Sequence, residues 1–122
     1  MIVKEFVPDV KDKPLFIFQY GVVAGSYPAS KINNMKDYTD IDVFLYSSVN
    51  ESKVCLKMED LYGKPLETIN SYVYYREPLP AISIMKKEKF STTRDIFKLI
   101  RAFDVINIRV AIDGKHIYYQ KK

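Results

Sequence analysis

Two aspartates separated by one residue, Asp40 and Asp42, stand at the head of an apolar run in the first half of the chain. In a strand, alternate side chains point to the same face, so both carboxylates are predicted to share a face. Ile41, Val43 and Leu45 fall on the other face, which we expect to be buried. The two aspartate Cα atoms would lie about 6.5 Å apart, which lets both carboxylates reach one hard cation.

A second apolar run precedes the aspartates and ends in a turn of small residues. Residues 15–24 are apolar on both faces, which predicts a buried central strand, although the first half could also form a short helix. Gly25 and Ser26 end this run, and Pro28 suits the first turn of a helix that we expect to reach about Met35. Thirteen residues, 27–39, separate the turn from the first aspartate.

The composition is that of one globular domain, which we expect to span residues 1–122. Hydrophobic residues make up 48% and charged residues 28%, so the chain is not of the disordered class. The net charge of +4 is compatible with nucleic acid or nucleotide phosphates but requires neither. Cys55 and His116 are the only residues of their kinds, which excludes an intrachain disulfide and zinc sites built from several cysteines or histidines.

Nothing in the sequence predicts a membrane segment. Residues 1–14 carry six charged side chains and do not resemble a signal peptide. The longest apolar stretch, residues 15–24, is too short to span a bilayer. We therefore expect no membrane partner and a location in the reducing cytoplasm.

The remaining pattern predicts strands and one clear helix. Lys53–Lys57, Leu66–Tyr75 and Ala81–Lys86 have the character of strands. A helix is expected from Ser91 to Phe103, because apolar residues recur at helical spacing after a capping box. Alternation over 106–112, the turn Asp113-Gly114 and the return over 117–119 predict a C-terminal β-hairpin. The fold class is therefore α/β (α+β), with a mixed central sheet and flanking helices.

The ordered pattern of apolar strand, Gly25-Ser26, helix and Asp40-Ile41-Asp42 resembles the signature of the DNA polymerase β nucleotidyltransferase superfamily. Small members of that superfamily include the minimal nucleotidyltransferases and phage-encoded relatives. The resemblance covers Val22 to Tyr46, about a fifth of the chain. It implies a nucleotidyltransferase-like fold and a Mg²⁺-dependent transfer of a nucleoside monophosphate from an NTP, ATP among them, to a hydroxyl of protein, RNA or a small molecule.

The resemblance also assigns roles to residues. Gly25 would let the backbone approach the triphosphate closely, and Ser26 with its neighbouring N–H groups would hold phosphate oxygens. Asp40 and Asp42 would bind Mg²⁺, which stabilises charge on the attacking and leaving oxygens. Transfer would then depend mainly on positioning and electrostatics.

Active members of that superfamily use a third carboxylate, and the sequence offers several candidates for it. We prefer Asp104, in Phe103-Asp104-Val105, as the third catalytic residue beside the two aspartates. Glu67 is the alternative, at the start of another predicted strand. Asn107 could instead occupy the position of the acid, in which case an amide has replaced it. Asp113 is expected to belong to the hairpin turn.

Two other functions are compatible with the sequence. A domain of this fold without the third carboxylate would be a binding or inhibitor module, with a protein partner such as a toxin or polymerase subunit, or a host protein if the chain is viral. A basic nucleic-acid binder unrelated to the superfamily would show strongly salt-dependent binding to DNA or RNA. His116, in a predicted hairpin, and Cys55, in a predicted strand, are expected to be structural.

Overall fold

The computed structural model describes residues 2–5, 18–32, 40–77, 79–90, 93–103, 109–113 and 115–120. Within these residues the chain forms three helices and eight strands. The helices are α1 (Ser26–Ile32), α2 (Glu51–Tyr62) and α3 (Thr93–Arg101). The strands are β1 (Ile2–Glu5), β2 (Gly21–Ala24), β3 (Asp40–Tyr46), β4 (Leu66–Glu67), β5 (Ser71–Arg76), β6 (Leu79–Phe90), β7 (Val110–Ile112) and β8 (His116–Tyr119).

All eight strands form one mixed sheet in the order β1-β8-β7-β2-β3-β6-β5-β4. β3 and β6 are parallel, and every other neighbouring pair is antiparallel. A parallel pair needs a crossover between its strands, and here α2, β4 and β5 lie between β3 and β6 in the sequence. The chain is therefore a mixed α+β protein, as the sequence predicts.

The helices cover both faces of the sheet. On one face, which we call the α2 face, Val54, Met58 and Tyr62 of α2 pack against a buried row from the central strands. That row includes Val23, Ile41, Val43, Leu45, Ile82 and Ile84. On the opposite face, the α3 face, Ile96, Leu99 and Ile100 pack with residues from β2, β3, β7 and β8. The predicted burial of Ile41, Val43 and Leu45 on one side of β3 is confirmed.

The predicted strand over Lys53–Lys57 is wrong, because these residues belong to α2. Val54 and Leu56 alternate as in a strand, but the buried positions of this segment are Val54, Met58 and Tyr62, which follow helical spacing. Asn50 caps the helix, since its side chain accepts a hydrogen bond from the Lys53 N–H at 3.2 Å. Gly63, at φ +85°, ends it.

Other boundaries also differ from the sequence pattern. β2 begins only at Gly21, after a helical turn over residues 18–20. The predicted strand Leu66–Tyr75 divides into β4 and β5, because a turn over residues 68–70 reverses the chain. β1 was not predicted, since its four residues are charged or exposed for the most part and follow no clear pattern. Asp104, Asn107, Gly114 and the predicted cap residues Ser91 and Thr92 lie outside the described residues.

Candidate functional site

The two halves of the sequence motif meet at one end of the sheet. β2 and β3 are antiparallel, and Ala24 is the direct partner of Asp42. Gly25, the next residue, therefore lies beside the aspartate strand as the chain leaves the sheet. A Cβ atom placed on Gly25 would stand 3.7 Å from Oδ2 of Asp42. The pairing of β2 with β3 thus places the Asp42 carboxylate next to Gly25.

The backbone at Gly25 requires glycine. Its φ of +100° lies in the region that L-residues with a side chain rarely adopt. The Gly25 N–H donates to the carbonyl of Val110 at 3.0 Å, and the Gly25 carbonyl accepts from the Ala29 N–H at 3.1 Å. The turn is therefore fixed by β7 on one side and by α1 on the other, and Gly25 itself is buried beside the Asp42 carboxylate.

Asp42 projects from the α3 face of the sheet. Its neighbours on β3, Ile41 and Val43, belong to the core under α2, whereas Phe44, two residues further on, packs with α3. Since side chains alternate along a strand, Asp42 shares the face of Phe44, and the side chain is half-buried. Asp40 is two residues earlier on the same strand, at the same end of the sheet as Gly25.

The strand next to the aspartates carries no carboxylate at the matching positions. On β6, which is parallel to β3, Ala81 is the partner of Asp40 and Ser83 is the partner of Asp42. Ser83 is 3% exposed, so its small side chain fills a closed position beside Asp42. These two residues could not be identified from the sequence, because nothing in the sequence specifies that β3 pairs with β6.

The candidates for a third carboxylate fall elsewhere or outside the described residues. Glu67 lies on β4 at the far edge of the sheet, with β6 and β5 between it and β3, and forms an ion pair with Lys86 at 3.6 Å. Asp113 accepts from the N–H groups of Lys115 and His116 at 2.9 and 2.8 Å. Its carboxylate therefore binds backbone N–H groups at the start of β8. Asp104, which we preferred, belongs to the part of the chain that the structure does not describe.

A basic residue that the sequence reasoning passed over lies at the same end of the sheet. Arg109 immediately precedes β7 and is half-buried. Its Nε donates to the carbonyl of Phe103 at 2.7 Å, and its Nη1 donates to Oε1 of Gln120 at 2.9 Å. A sequence signal existed, since Arg109 is the one charged residue between Val105 and Ile112, in an otherwise uncharged segment.

Cys55 and His116 both contact neighbouring side chains of the fold. Cys55 is half-buried on α2, and this burial raises the pKa of its thiol. A hydrogen bond with the Tyr74 side chain lowers the pKa, whereas the negative charges of Glu51 and Glu59 raise it further. Such a thiol is less nucleophilic than an exposed one. His116 begins β8 and packs edge-on against Tyr118 at 6.2 Å between ring centroids.

Among the residues that the structure describes, no three side chains of histidine, cysteine, aspartate or glutamate come together as a metal-binding group. The side chain of Asp40 and all of Asp104 are outside that set. In the same described part of the chain, no helix is long and apolar enough to cross a membrane. Comparison with protein-family models, with curated proteins and with solved structures gives no match to this chain.

Proposed function

We propose that this protein is a Mg²⁺-dependent nucleotidyltransferase, which moves a nucleoside monophosphate from an NTP such as ATP to a hydroxyl of protein, RNA or a small molecule. The observation that carries the proposal is the position of the Asp42 carboxylate beside Gly25, where a Cβ atom on the glycine would stand 3.7 Å from Oδ2. A phosphate chain that approaches a glycine backbone would there meet an acidic, metal-binding group. The proposal treats the chain as one nucleotidyltransferase-like domain, with β7 and β8 as its C-terminal hairpin.

The donor set fits magnesium. Asp40 and Asp42 stand at alternate positions of β3 and would supply carboxylate oxygens, the ligands that Mg²⁺ prefers. When bound, the ion supplies charge stabilisation at the attacking and leaving oxygens of the transfer. Asp42 is half-buried, which excludes part of the solvent from around its carboxylate and strengthens its interaction with a cation.

In the proposed reaction, the hydroxyl oxygen of the acceptor forms a bond to the α-phosphorus of the NTP. The bond from that phosphorus to the oxygen bridging the α- and β-phosphates breaks, and pyrophosphate leaves with the electron pair. The hydroxyl proton passes to a carboxylate base, the role we assign to Asp104. Ser26, directly after the Gly25 turn, would bind the phosphates and hold the α-phosphorus in line with the acceptor.

Labelled NTP tests the proposal directly. The purified protein is incubated with each of the four α-³²P-labelled NTPs, with Mg²⁺ and a cell lysate as the source of acceptor. We expect transfer of label from at least one NTP, and its loss in Asp42→Asn and in EDTA. Asp60→Asn, which changes an exposed aspartate on α2, is the matched control and should remain active. Failure to label any component, or equal labelling by Asp42→Asn, contradicts the proposal.

A second candidate is a non-catalytic binding module of the same fold. It is favoured by Ala81 and Ser83, the small residues at the β6 positions opposite the two aspartates. This candidate predicts no transfer, weak or absent binding of Mg²⁺–NTP, and a stable complex with a protein partner. Calorimetry with Mg²⁺–ATP and Mg²⁺–GTP separates the two, since tight binding that is lost in Asp42→Ala would count against the non-catalytic module.

A further inference from the structure

Arg109 and Asp40 are level with each other along the strand axis, on either side of the Gly25 turn. Ala24 pairs with Asp42 on one side and with Ala111 on the other, so these three residues form one row across the sheet. Arg109 and Asp40 are each two residues from that row, in the same direction along the strands. With about 4.8 Å between neighbouring strands, their backbones lie about 10 Å apart.

Arg109 also shares a face with Asp42. The Gln120 N–H donates to the Arg109 carbonyl at 3.3 Å, so Arg109 extends the β7–β8 ladder by one residue and side-chain alternation continues through it. This places Arg109 on the side of Ala111, which belongs to the core under α3. Its contact with Phe103, which packs on the same core, agrees with that assignment.

The sheet is interrupted between Arg109 and Asp40. β2 ends at Ala24, and the chain continues into α1, whose Ala29 packs with Val110 and Ile112 on the face away from Ala111. β2 therefore contributes no strand residue to the row that holds Arg109 and Asp40. The Gly25 turn and the start of α1 lie between the Arg109 strand and the Asp40 strand at this level.

The Arg109 guanidinium is held in place but keeps its charge and part of its donor capacity. Its two hydrogen bonds go to neutral acceptors, a backbone carbonyl and a glutamine amide oxygen. In the described portion of the chain, no carboxylate lies within ion-pair distance of it and no acceptor is bonded to Nη2. With Nε and Nη1 each bonded to a neutral acceptor, the N–H groups of Nη2 remain as charged donors of the kind that phosphate oxygens accept.

We propose that Arg109 is a phosphate-binding residue, and that the anion it takes is the polyphosphate of the nucleotide whose metal is held by Asp40 and Asp42. The identity of the ligand rests on the proposed function, whereas binding of an anion rests on the placement of Arg109 alone. Gln120 and the Phe103 carbonyl position the guanidinium. The site thus brings a metal-binding strand and a phosphate-binding strand to opposite sides of one glycine turn.

The test measures binding of inorganic tripolyphosphate by calorimetry, without divalent metal, to the full-length protein and its variants. We expect Arg109→Gln to weaken binding by about tenfold or more, since a charged donor is lost. The affinity of Arg109→Lys should fall between those of the unmodified protein and Arg109→Gln, because lysine keeps the positive charge and loses the planar guanidinium donors. Arg101→Gln, which removes an exposed arginine from the last turn of α3, is the matched control and should bind like the unmodified protein.

Equal binding by Arg109→Gln and Arg101→Gln overturns the inference, and so does an unmodified protein that does not bind tripolyphosphate. Should Arg109→Gln fail to fold, Arg109→Lys and Gln120→Leu carry the test, both with weakened binding as the supporting result and unchanged binding as the contrary one. Failure of the proposed function is distinguishable. Tripolyphosphate binding that depends on Arg109, without any nucleotide transfer, retains the anion site and rejects the enzyme. Transfer with an unchanged KM for NTP in Arg109→Gln retains the enzyme and rejects the role of Arg109.

Discussion

Asp42 on β3 and Ser83 on β6 are direct partners across the parallel pair of strands, so their side chains leave the sheet on the same face. Ser83 therefore holds the place from which a neighbouring strand would contribute a further carboxylate to a cation bound by Asp42. Its 3% exposure shows that the position is closed to solvent.

Replacing Ser83 by aspartate should make the thermal stability of the protein depend more strongly on Mg²⁺. In Ser83→Asp without metal, we expect the free energy of unfolding to fall by about 1–3 kcal/mol, because two carboxylates face each other in a partly buried place. Mg²⁺ should then raise the melting temperature more than it does in the unmodified protein, since it binds the folded state. Ser83→Asn introduces a side chain with nearly the shape of aspartate but without its charge. Mg²⁺ should therefore raise the melting temperature of Ser83→Asn no more than that of the unmodified protein. The measurement is thermal unfolding of both variants with and without Mg²⁺. If Mg²⁺ changes the melting temperatures of Ser83→Asp and Ser83→Asn equally, the cation does not bind beside position 83.

Gly25→Ala separates backbone strain from function when it is compared with Gly63→Ala. Both glycines have positive φ, +100° and +85°, so each alanine should lower the free energy of unfolding by about 1–2 kcal/mol. Only at Gly25 does the added methyl group stand near Asp42, whereas no atom lies within 4 Å at Gly63. We therefore expect weaker Mg²⁺–NTP binding in Gly25→Ala alone. Equal nucleotide affinities in the two variants, measured by calorimetry, would show that the turn does not contact the ligand.

Gly21 is required for a different reason, the close approach of β2 to β3. A Cβ atom there would overlap the carbonyl oxygen of Phe44 and stand 3.0 Å from the Cα of Leu45. Since these are backbone atoms of a central strand, they cannot move aside without separating the pair. We expect Gly21→Ala to lower the free energy of unfolding in urea by about 3 kcal/mol or more. A loss no greater than that of Gly63→Ala would mean that the strands adjust readily.

Tyr62 offers a stabilising substitution. Its hydroxyl is buried and, within the described residues, has no hydrogen-bond partner, while its ring packs edge-on against Tyr74. An unpaired buried polar group costs about 1–3 kcal/mol, so Tyr62→Phe should keep or raise the free energy of unfolding. Tyr74→Phe serves as the comparison, because the Tyr74 hydroxyl donates to the Cys55 carbonyl at 3.4 Å. Denaturant unfolding in which Tyr62→Phe is the less stable of the two would reveal a partner for its hydroxyl.

The Cys55 thiol should show slow alkylation and a matching pH dependence of stability. Burial, followed by the charges of Glu51 and Glu59, raises its pKa in the folded state, with the Tyr74 hydroxyl opposing. The unfolded chain therefore loses this proton first, at about pH 8.5. The contribution of the protonated Cys55 thiol to the free energy of unfolding is complete below that pH. It is lost as the pH rises through the higher pKa that Cys55 has in the folded state.

Iodoacetamide at pH 8.5 provides the measurement. Native Cys55 should react more slowly than the same cysteine in urea, and the double variant Glu51→Gln/Glu59→Gln should react faster than the unmodified protein. Glu77→Gln, which changes an exposed glutamate distant in sequence from α2, is the control and should leave the rate unchanged. A double variant that reacts at the unmodified rate would show that burial alone sets the reactivity.

The strand carrying Asp42, the turn at Gly25 and the helix α3 could be predicted from sequence because each depends on local periodicity and on residues that favour turns. The error at Lys53–Lys57 has a physical source, since five residues are too few to distinguish a period of 2 from one of 3.6. The buried Met58 and Tyr62 beyond it decide for a helix. Strand order could not be predicted, because the pairing of β3 with β6 joins residues about 40 positions apart. The presence of Ser83 beside Asp42 and of Arg109 beside Gly25 depends on such pairings.

The order of the strands has a consequence for synthesis of the chain. β7 and β8, which come last, lie between β1 and β2, which come first. As the protein leaves the ribosome, β7 can pair with the outer edge of β2 only after residues up to Ile112 have emerged. Until β7 has emerged, the Gly25 N–H also lacks its acceptor in the folded protein, the Val110 carbonyl. The Arg109 side of the proposed site is thus completed by a strand that follows β6 in the chain, so a nascent chain from which only β1 to β6 have emerged cannot bind nucleotide through this arrangement.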